Sequence, residues 1–547
     1  MASSYILKLC LLLSAISLSR TWALISSSSS SSSMKYSQHS SSIKSVCKTT
    51  PYPDVCFDSL ILSTNISDEI TGPNINTYLL YTLQTAISES EQLSSLLLDA
   101  GNSNNIIQKQ KGTIPDCKEL QQITMSCLQR TVSLVPQDAP INKRKLADAI
   151  AYLSAALTNK NTCLEGLDSA SGPLKPALLS SINETYMYVS NALSILSSQK
   201  SHNKRRLMDI GVPTWISKKL KSRTRILESE FDPSKVLTVA ADGTGNFTTI
   251  TDAINFAPNN SNDKTHIYVK QGLYEENVEI PSYKTHIVLL GDGADITTIT
   301  GKRSVGDGWT TFRSATLAVS GDGFLARDIC IENRAGEKKH QAVALRVNAN
   351  FAALYKCHIN GYQDTLYVHS FRQFYRECDI LGTIDFILGN AAVIFQGCNI
   401  WSRTPISGQF TVITAQSRDS PNEDTGISIQ NCSILATNDL YSSSVKSYLG
   451  RPWRVYSRTV YLNSHIGSFI NPAGWTQWSD DNDDQELETL YYGEFDNDGP
   501  GSSTDDRVQW KGYHKMDVDA TYNFTVSEFI SGDEWLDSTA FPYDHGV

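Results

Sequence analysis

A short motif, Cys-x-Ile, recurs in the second half of this 547-residue chain and restricts its fold more than any other feature. Its copies begin at Cys357, Cys378, Cys398 and Cys432, at irregular steps of 21, 20 and 34 residues. Helical repeat proteins keep a fixed period, which these steps do not. A parallel β-helix accepts them, because each coil adds one strand to each wall and loops of variable length project outward. We therefore predict an all-β, right-handed parallel β-helix.

Two aspartates occupy the same place in consecutive copies of this repeat. Asp364 lies seven residues after Cys357, and Asp385 lies seven residues after Cys378. Stacked strands lie about 4.8 Å apart, so the two carboxyls should be neighbours whose pKa values split. One protonated and one ionised carboxyl would suit nucleophilic and acid/base catalysis. The structural alternative is a stacked polar ladder on a solvent face.

The N-terminal end has the pattern of a targeting segment. Residues 1–24 combine an apolar run with a small-residue site near Ala23, which predicts a secretory signal peptide rather than a signal anchor. Residues 25–41 form a Ser-rich linker. No other stretch approaches the length of a membrane span, so we expect no membrane contact in the mature chain. Secretion predicts an oxidising compartment in which cysteines can pair.

The rest of the chain divides into three segments by composition. Residues 42–198 are rich in Leu, Ala and Ser at helical spacing, which predicts an all-α four-helix up-down bundle. Residues 199–234 form a basic linker, and residues 235–547 carry the short β-rich runs of the predicted β-helix. We predict that Asp116 and Glu119, in the bundle, are solvated charges on a helix surface.

Charge and sequons add two further expectations. The net charge is −10 and the acidic excess falls in the second half, which argues against nucleic acid as a partner. A sixth sequon, at Asn431, adjoins a predicted strand and is not expected to be modified. The expected N-glycosylation sites are Asn65, Asn183, Asn246, Asn259 and Asn523.

Five motifs follow one another in the β-rich segment. They are Gly272-Leu-Tyr-Glu-Glu, Gln341-Ala-Val-Ala-Leu-Arg, Gly361-Tyr-Gln-Asp-Thr-Leu-Tyr, Gly382-Thr-Ile-Asp-Phe-Ile-Leu-Gly and Leu449-Gly-Arg-Pro-Trp. In this order and spacing they resemble the plant pectin methylesterases, carbohydrate esterase family eight. The resemblance covers essentially all of residues 235–547.

The helical segment resembles the plant invertase and pectin methylesterase inhibitor domain. The matching features are Cys47-x8-Cys56 around Pro-Tyr-Pro, Asp116-Cys117-x-Glu119-Leu120 and Leu157-Thr158-x4-Cys163. This resemblance implies a pro-region that inhibits the enzyme or assists its folding until it is cleaved. A basic tetrapeptide in the linker resembles the processing site of such proteins, so a processing protease is an expected partner, together with inhibitor proteins. That site consists of Arg205, Arg206, Leu207 and Met208.

The resemblance to the esterases implies a role for each site residue. Asp385 would be the nucleophile, kept ionised by Arg451, and Asp364 would be the acid/base. Gln341 and Gln363 would stabilise the oxyanion. The implied substrate contacts are Gln341, Arg451, Thr316, Trp453, Tyr367 and Phe386.

The implied activity is hydrolysis of the C6 methyl esters of homogalacturonan pectin, with release of methanol. The enzyme would be secreted to the cell wall and act there as a monomer. The sequence has no His/Cys/carboxylate cluster at metal-ligand spacing, so we expect no metal or other cofactor.

The resemblance also implies a disulfide pattern. In the helical segment the pairs would be Cys47–Cys56 and Cys117–Cys163. In the β-helix they would be Cys330–Cys357 and Cys398–Cys432, with Cys378 as a buried thiol. A Cys378–Cys398 pair is the alternative that the sequence leaves open, because cysteines on adjacent rungs lie within disulfide range.

Two other classes of function compete with the esterase. One is a non-catalytic pectin-binding or inhibitor protein with a degenerate β-helix, against which the intact set of predicted catalytic residues argues. The other is a β-helical polygalacturonase or pectate lyase. Galacturonases need a different arrangement of carboxylates, and pectate lyases typically need calcium.

Overall fold

The computed structural model describes residues 41–66, 74–102, 105–202, 236–479 and 484–546. The predicted signal peptide, the Ser-rich linker up to residue 40 and the processing site at 205–208 lie outside these residues. Within the described ranges, no helix is long and apolar enough to cross a membrane.

The N-terminal part is helical, as predicted. Residues 41–47 are helical, and five labelled helices follow, four of them long. The four long helices share one apolar core that includes Leu83, Leu120, Leu153 and Leu193, and the 41–47 segment and the first helix pack in a smaller cluster with Tyr78. Their bounds are α1 Pro53–Ile66, α2 Ile75–Asn102, α3 Thr113–Leu134, α4 Lys143–Asp168 and α5 Lys175–Ser198.

Two disulfides hold this helical domain, and both were predicted. Cys47–Cys56 joins the 41–47 segment to α1, and Cys117–Cys163 joins α3 to α4. Cys127, which the pairing left over, is a buried free thiol.

The start of α4 is fixed by a side-chain cap. Asn142 has an extended backbone, and its Oδ1 accepts a hydrogen bond from the Lys145 amide at 2.8 Å. Because this bond satisfies an otherwise unpaired amide, we expect Asn142→Ala to lower the free energy of unfolding by about 1 kcal/mol. Chemical denaturation of Asn142→Ala and of Asn142→Asp, which keeps an acceptor, measures this. An equal loss in both variants would contradict the capping role.

The C-terminal part is a parallel β-helix, as predicted, with three parallel sheets as its walls. The strands of the eleven-stranded sheet are β1 Leu237–Val239, β2 Thr265–Val269, β5 Ile287–Gly291, β8 Leu325–Arg327, β11 Ala352–Tyr355, β14 Arg372–Arg376, β17 Ala392–Gln396, β20 Gly426–Gln430, β23 Arg458–Leu462, β25 Tyr491–Phe495 and β26 Tyr513–Lys515. Those of the seven-stranded sheet are β4 Val278–Ile280, β7 Leu317–Val319, β10 Leu345–Val347, β13 Leu366–Val368, β16 Ile387–Gly389, β19 Thr411–Gln416 and β22 Ser447–Pro452. Those of the eight-stranded sheet are β3 Gly272–Glu275, β6 Thr297–Gly301, β9 Cys330–Asn333, β12 His358–Asn360, β15 Asp379–Gly382, β18 Asn399–Ser402, β21 Ser433–Ala436 and β24 His465–Ile466.

Short helices accompany the β-helix. Residues near the C-terminus, among them Phe524, Trp535 and Phe541, pack with Phe374 and Ile394 of the eleven-stranded sheet in one apolar cluster. The short helices are α6 Ile250–Phe256, α7 Asn438–Tyr441, α8 Asp484–Thr489, α9 Val518–Thr521 and α10 Val526–Phe529.

The Cys-x-Ile repeat forms an interior ladder. The strand registers place Cys357, Cys378, Cys398 and Cys432 on successive rungs, directly before their strands, and all four lie in the β-helix core. This column is the physical basis of the repeat.

The predicted disulfides of the β-helix are wrong, because these cysteines and Cys330 are free thiols. Cys330 is in register with His358, one position away from Cys357, so the two side chains alternate to different faces. Cys398 and Cys432 share a column, as do Cys378 and Cys398. Side chains stacked in register point the same way at about the 4.8 Å strand spacing, wider than the roughly 3.8 Å between the Cβ atoms of a disulfide.

The helical domain lies against the outer face of the seven-stranded sheet. Val343, Tyr367 and Leu388 from that side of the β-helix belong to the same apolar cluster as the helix core. This face is therefore covered by α3 and α4, and it also carries the predicted site.

Candidate active site

The two aspartates lie on adjacent rungs, as the repeat predicts. Leu366 of β13 is in register with Ile387 of β16, and each aspartate lies two residues before its strand. The Asp364 amide donates to the Ile384 carbonyl at 3.0 Å. Both aspartates turn the chain with a left-handed backbone, at φ 61° and 51°. Other non-glycine residues, such as Lys356 and Glu377, have a left-handed backbone at other corners of the coils, so this conformation does not by itself mark catalysis.

Arg451 holds Asp385 through two hydrogen bonds. Its Nε donates to Oδ1 at 2.8 Å, and its Nη2 donates to Oδ2 at 2.5 Å. Asp385 is 4% exposed, and burial raises its pKa by more than the Arg451 guanidinium lowers it, so the net shift of its pKa is upward. This two-pronged contact favours the ionised carboxylate, as the sequence analysis expected of Arg451.

Asp364 is driven towards its protonated form. It is 6% exposed, and burial raises its pKa well above the ordinary range, with the charge of Asp385 adding to the rise. Arg451 acts in the opposite direction with a smaller effect. The pKa of Asp364 is therefore raised further than that of Asp385, which is the order that an acid and a nucleophile require.

Gln341 and Gln363 flank the aspartates on neighbouring rungs. The Ala342 amide donates to the Gln363 carbonyl at 3.1 Å, which ties the two segments together. Both glutamines are partly exposed, and within the described residues their side-chain amides make no hydrogen bond. Each has two N–H donors free for a ligand.

Aromatic rings line the same face. The Trp453 ring lies 6.2 Å from the Tyr367 ring and is stacked on Trp478 at 6.2 Å. The Arg451 guanidinium lies 4.2 Å from the centre of the Trp478 ring. Trp453, Tyr367 and Trp478 thus lie together beside Arg451, and the substrate contacts of Trp453 and Tyr367 stay a prediction.

Two predicted substrate contacts are wrong in this structure. Phe386 is 0% exposed and belongs to the interior core of the β-helix, because it points to the opposite side from its neighbour Asp385. Thr316 is fully buried, and its hydroxyl donates to the Glu332 carbonyl at 2.9 Å. Neither side chain is available to a sugar.

The helical domain covers the site. The Thr162 hydroxyl of α4 makes hydrogen bonds with His369 Nε2 at 2.9 Å and with the Tyr367 hydroxyl at 3.4 Å. Glu165, one turn further along α4, accepts a hydrogen bond from Arg454 at 2.5 Å. Its charge also raises the pKa of Asp364, which indicates that α4 passes close to the aspartates.

Asp116 and Glu119 are not solvated, contrary to prediction. Asp116 is 3% exposed, and it accepts hydrogen bonds from Arg313 Nε at 2.7 Å and from the Thr310 hydroxyl at 2.5 Å. Glu119 accepts from Arg313 Nη2 at 2.7 Å. Burial raises the pKa of Asp116 to about 6, against the opposing charge of Arg313. For Glu119, burial raises the pKa, but the nearby arginines outweigh it and the net shift is downward.

Several residues of this face were not predicted from the sequence. Arg313, His369 and Trp478 stand in no recognised motif. Glu165 and Thr162 adjoin Cys163 of the inhibitor-type pattern. Their partners are distant in sequence, so no local signal could link them to the site.

Four of the five expected N-glycosylation sites are exposed, namely Asn183, Asn246, Asn259 and Asn523. The side chain of Asn65 lies outside the described residues. Asn431 is also exposed, at a left-handed turn between β20 and β21, so its place beside a strand does not bury it, and the absence of modification there stays a prediction.

The chain resembles known proteins over nearly its whole length. The family profile Pectinesterase matches residues 236–533, and the profile Plant invertase/pectin methylesterase inhibitor (PMEI) matches residues 41–195. Probable pectinesterase/pectinesterase inhibitor 12 of Arabidopsis thaliana is 61% identical over 526 residues, covering 93% of this chain and 94% of that protein. Pectinesterase 2 of Citrus sinensis is 42% identical over 530 residues, covering 96% of this chain and 99% of that protein.

The fold comparison agrees for the β-helix. The solved structure of pectin methylesterase from carrot is 50% identical and has a TM-score of 0.56, covering 57% of this chain and 98% of that chain. A β-helix with stacked aspartates beside an arginine thus defines the class of the C-terminal domain. This chain belongs to the pectinesterase family, and it joins the family's catalytic domain to an inhibitor-type helical domain.

Proposed function

We propose that the β-helix hydrolyses the C6 methyl esters of homogalacturonan. The observation that carries this proposal is the Asp385 carboxyl, held by two hydrogen bonds from Arg451, one rung from the Asp364 carboxyl, whose pKa burial raises well above its usual range. An ionised and a protonated carboxyl on adjacent rungs suit an ester whose leaving group needs a proton. The family relatives named for pectin support pectin as the polymer.

A residue of the chain can be assigned to each step of the ester hydrolysis. An Asp385 carboxylate oxygen attacks the ester carbonyl carbon, and the side-chain amides of Gln341 and Gln363 donate to the oxyanion that forms. Collapse of this intermediate breaks the bond to methoxide, which takes the proton of Asp364 and leaves as methanol. Asp364, now a base, removes a proton from water, which attacks the acyl-enzyme. Its collapse frees the galacturonic acid carboxyl group, which releases its proton to solvent, and restores the Asp385 carboxylate beside a protonated Asp364.

We also propose that the helical domain holds the intact chain inactive in the cell wall until it is cleaved. Thr162 and Glu165 of α4 bond to Tyr367, His369 and Arg454 on the face where a polysaccharide would lie. A polymer and α4 cannot occupy that face together. Processing at 205–208 would free the helical domain to leave.

The test is methanol release from highly methylated pectin. The protein is the full chain, with residues 205–208 replaced by the recognition sequence of a specific protease, so that the β-helix folds before cleavage. We expect little release from the intact chain and strong release once the helical domain is removed. Equal activity before and after would overturn inhibition but keep the esterase. No release from a folded, cleaved protein would overturn the esterase.

The oxyanion role of the glutamines gives a prediction for the cleaved protein. Loss of one such donor typically costs about 10²–10³ in rate, so we expect Gln363→Ala to lower kcat by that factor. Steady-state kinetics on methylated pectin measures the kcat of this variant. Gln373→Ala is not a suitable control, because Gln373 is buried. Gln509→Ala, at the far end of the β-helix, is the matched control and should leave kcat unchanged. A rise in KM alone would contradict the assignment.

The pKa of Asp116 predicts that the contact between the domains depends on pH. A carboxyl whose pKa rises to about 6 on burial gains protons when the contact forms, so its contribution is present at low pH and is lost as the pH rises through 6. The raised pKa of Glu165 acts in the same direction. The lowered pKa of Glu119 acts the opposite way, but only below its ordinary value of 4.5.

We therefore expect the cleaved domains to bind more tightly at pH 5 than at pH 7.5, by about tenfold from Asp116, because pH 5 lies between the ordinary pKa of this carboxyl and its raised pKa of about 6. Calorimetric titration of the separated domains at constant ionic strength measures this. Asp116→Asn should flatten the dependence. Tighter binding at pH 7.5 would contradict it.

A further inference from the structure

Arg451 lies on β22, the edge strand of the seven-stranded sheet, so within that sheet β22 pairs only with β19. The outer side of an edge strand presents backbone N–H and C=O groups that have no partners in the sheet. Arg451 nevertheless donates two hydrogen bonds to Asp385, and a site of this kind works only if its groups are held to within about 0.5 Å. Contacts outside the sheet must therefore hold β22 in place.

A short segment further along the chain pairs with this edge. Gly450 forms an isolated parallel bridge with Trp475. The Leu449 amide donates to the Gly474 carbonyl at 2.7 Å, and the Thr476 amide donates to the Gly450 carbonyl at 3.1 Å. The segment thus acts as a short extra strand beside the main chain that leads into the arginine.

The same segment also contacts the side chain of the arginine. The ring centre of Trp478 lies 4.2 Å from the Arg451 guanidinium, at a distance that suits a cation–π contact. We call residues 474–478 the backing segment. Because it meets both the strand and the guanidinium, its position affects where the guanidinium lies relative to Asp385.

Trp475 anchors the backing segment in the interior of the β-helix. It is 1% exposed, its ring is stacked on Tyr492 at 4.1 Å, and its Nε1 donates to Glu494 Oε1 at 3.1 Å. A Cβ atom on Gly450 would lie only 2.9 Å from the Trp475 ring, so this ring packs directly against the residue before Arg451. In a closely packed interior, a shift of the ring would therefore shift the strand.

A buried ion pair fixes Trp475 and the chain just before it. Arg507 donates to Glu494 from Nε at 2.9 Å and from Nη2 at 3.1 Å, and the two side chains are 1% and 2% exposed. Arg507 also donates to the carbonyls of Pro472 at 2.9 Å and Gly501 at 2.8 Å. Replacing a buried ion pair by apolar side chains is often neutral for stability, so stability alone does not account for this pair.

We propose that a positioning network holds the backing segment, so that Arg451 keeps both of its hydrogen bonds to Asp385. The network consists of Trp475, Glu494 and Arg507. All three side chains are buried, and they act on the reaction only through Arg451. This inference rests on the proposed function, because the contact that the network protects is the one that favours the ionised nucleophile.

The expected consequence is a change in the pH range of activity. Within the described β-helix, the titratable groups whose charges act together with that of Asp385 are Arg451, Asp364 and Tyr492. Burial holds the pKa of Tyr492 well above its usual range, so its hydroxyl stays neutral where carboxyls titrate. Asp364, with the higher pKa of the two aspartates, stays protonated while Asp385 titrates. A weaker Arg451 contact therefore raises the pKa of Asp385, and activity is lost from the acid side.

The pH dependence of kcat on methylated pectin tests the network. The protein is the full chain, cleaved after folding and freed of its helical domain. Trp475→Phe keeps a ring but loses the N–H donor, and we expect it to raise the pKa of the acid limb by about one pH unit. At a pH below that limb kcat would fall about tenfold, with little change on the plateau. Arg507→Lys keeps the charge but loses the fork of donors, and it should shift the limb in the same direction.

Trp535→Phe is the matched control. Trp535 is also buried and donates its indole N–H to the Ile530 carbonyl at 3.1 Å, in the C-terminal cluster on the eleven-stranded sheet. This substitution should leave the acid limb unchanged. Thermal unfolding checks that each variant is folded, and Arg507→Lys carries the test if Trp475→Phe is not. An unshifted limb in either folded variant, or an equal shift in Trp535→Phe, would overturn the network.

The pKa of Asp385 can also be measured without any turnover. In protein isotope-labelled at its aspartate carboxyl carbons, the NMR signal that Asp385→Asn removes reports this pKa. It should rise in Trp475→Phe and stay unchanged in Trp535→Phe. If the unaltered protein released no methanol, the proposed esterase would fail, whereas this titration would still decide whether the network positions Arg451.

Discussion

Asp385→Asn is expected to abolish methanol release from methylated pectin while pectin binding persists. The amide of asparagine cannot act as the nucleophile, and removing a nucleophile that works with its partners as a unit typically costs about 10⁴-fold or more in kcat. Binding should survive because Trp453 and Tyr367 remain in place. Methanol assays and pectin binding on the cleaved protein, with the helical domain removed, measure both effects.

Asp379→Asn is the matched control. Asp379 lies on β15 of the eight-stranded sheet, where it contacts His358 at 3.1 Å, away from the covered face. The Asp379→Asn variant should release methanol at a rate within a few-fold of that of the unaltered protein. If Asp385→Asn kept its activity, the nucleophile would lie elsewhere. If the unaltered protein bound pectin and released no methanol, a non-catalytic pectin-binding protein would be the better description.

The repeat made the arrangement of the aspartates predictable from sequence. Register in a parallel β-helix is set by the interior column, and Cys357 and Cys378 mark that column directly. The same alternation would have placed Phe386 inside, next to Asp385, had it been applied beyond the motif. The prediction of disulfides in the β-helix was wrong for a related reason. Stacked thiols in one column lie at the strand spacing rather than at the distance that a disulfide needs.

The contact between the two domains could not be predicted in the same way. Asp116 and Glu119 have the spacing of ordinary charges on a helix surface, and their partner Arg313 lies 197 and 194 residues away in sequence. Nothing local distinguishes a carboxylate that faces water from one that faces a distant arginine. Whether two charged surfaces fit together depends on their shapes, and the spacing of residues along the sequence contains no information about those shapes.

Glu119→Gln in the intact, uncleaved chain is expected to raise its methanol release by about 30-fold or more. The contact with Arg313 and Arg346 lowers the pKa of Glu119, so the ionised form is the one that holds the helical domain. Removing its charge leaves the buried Arg346 without a carboxylate, and truncating one partner of such a pair costs about 2–5 kcal/mol. That energy is lost from the closed form, so the open, active fraction rises in proportion.

Asp116→Asn is the sharpest comparison, because the two carboxylates lie one turn apart on α3 and share Arg313. The contact raises the pKa of Asp116 to about 6, so a neutral side chain there costs the closed form much less at neutral pH. The intact Asp116→Asn chain should therefore stay almost as inactive as the original at pH 7. Equal activation by both substitutions would mean that the helical domain is held by shape and hydrogen bonding alone. Activation by neither would place the inhibitory contact at Thr162 and Glu165 of α4, over the aspartates themselves.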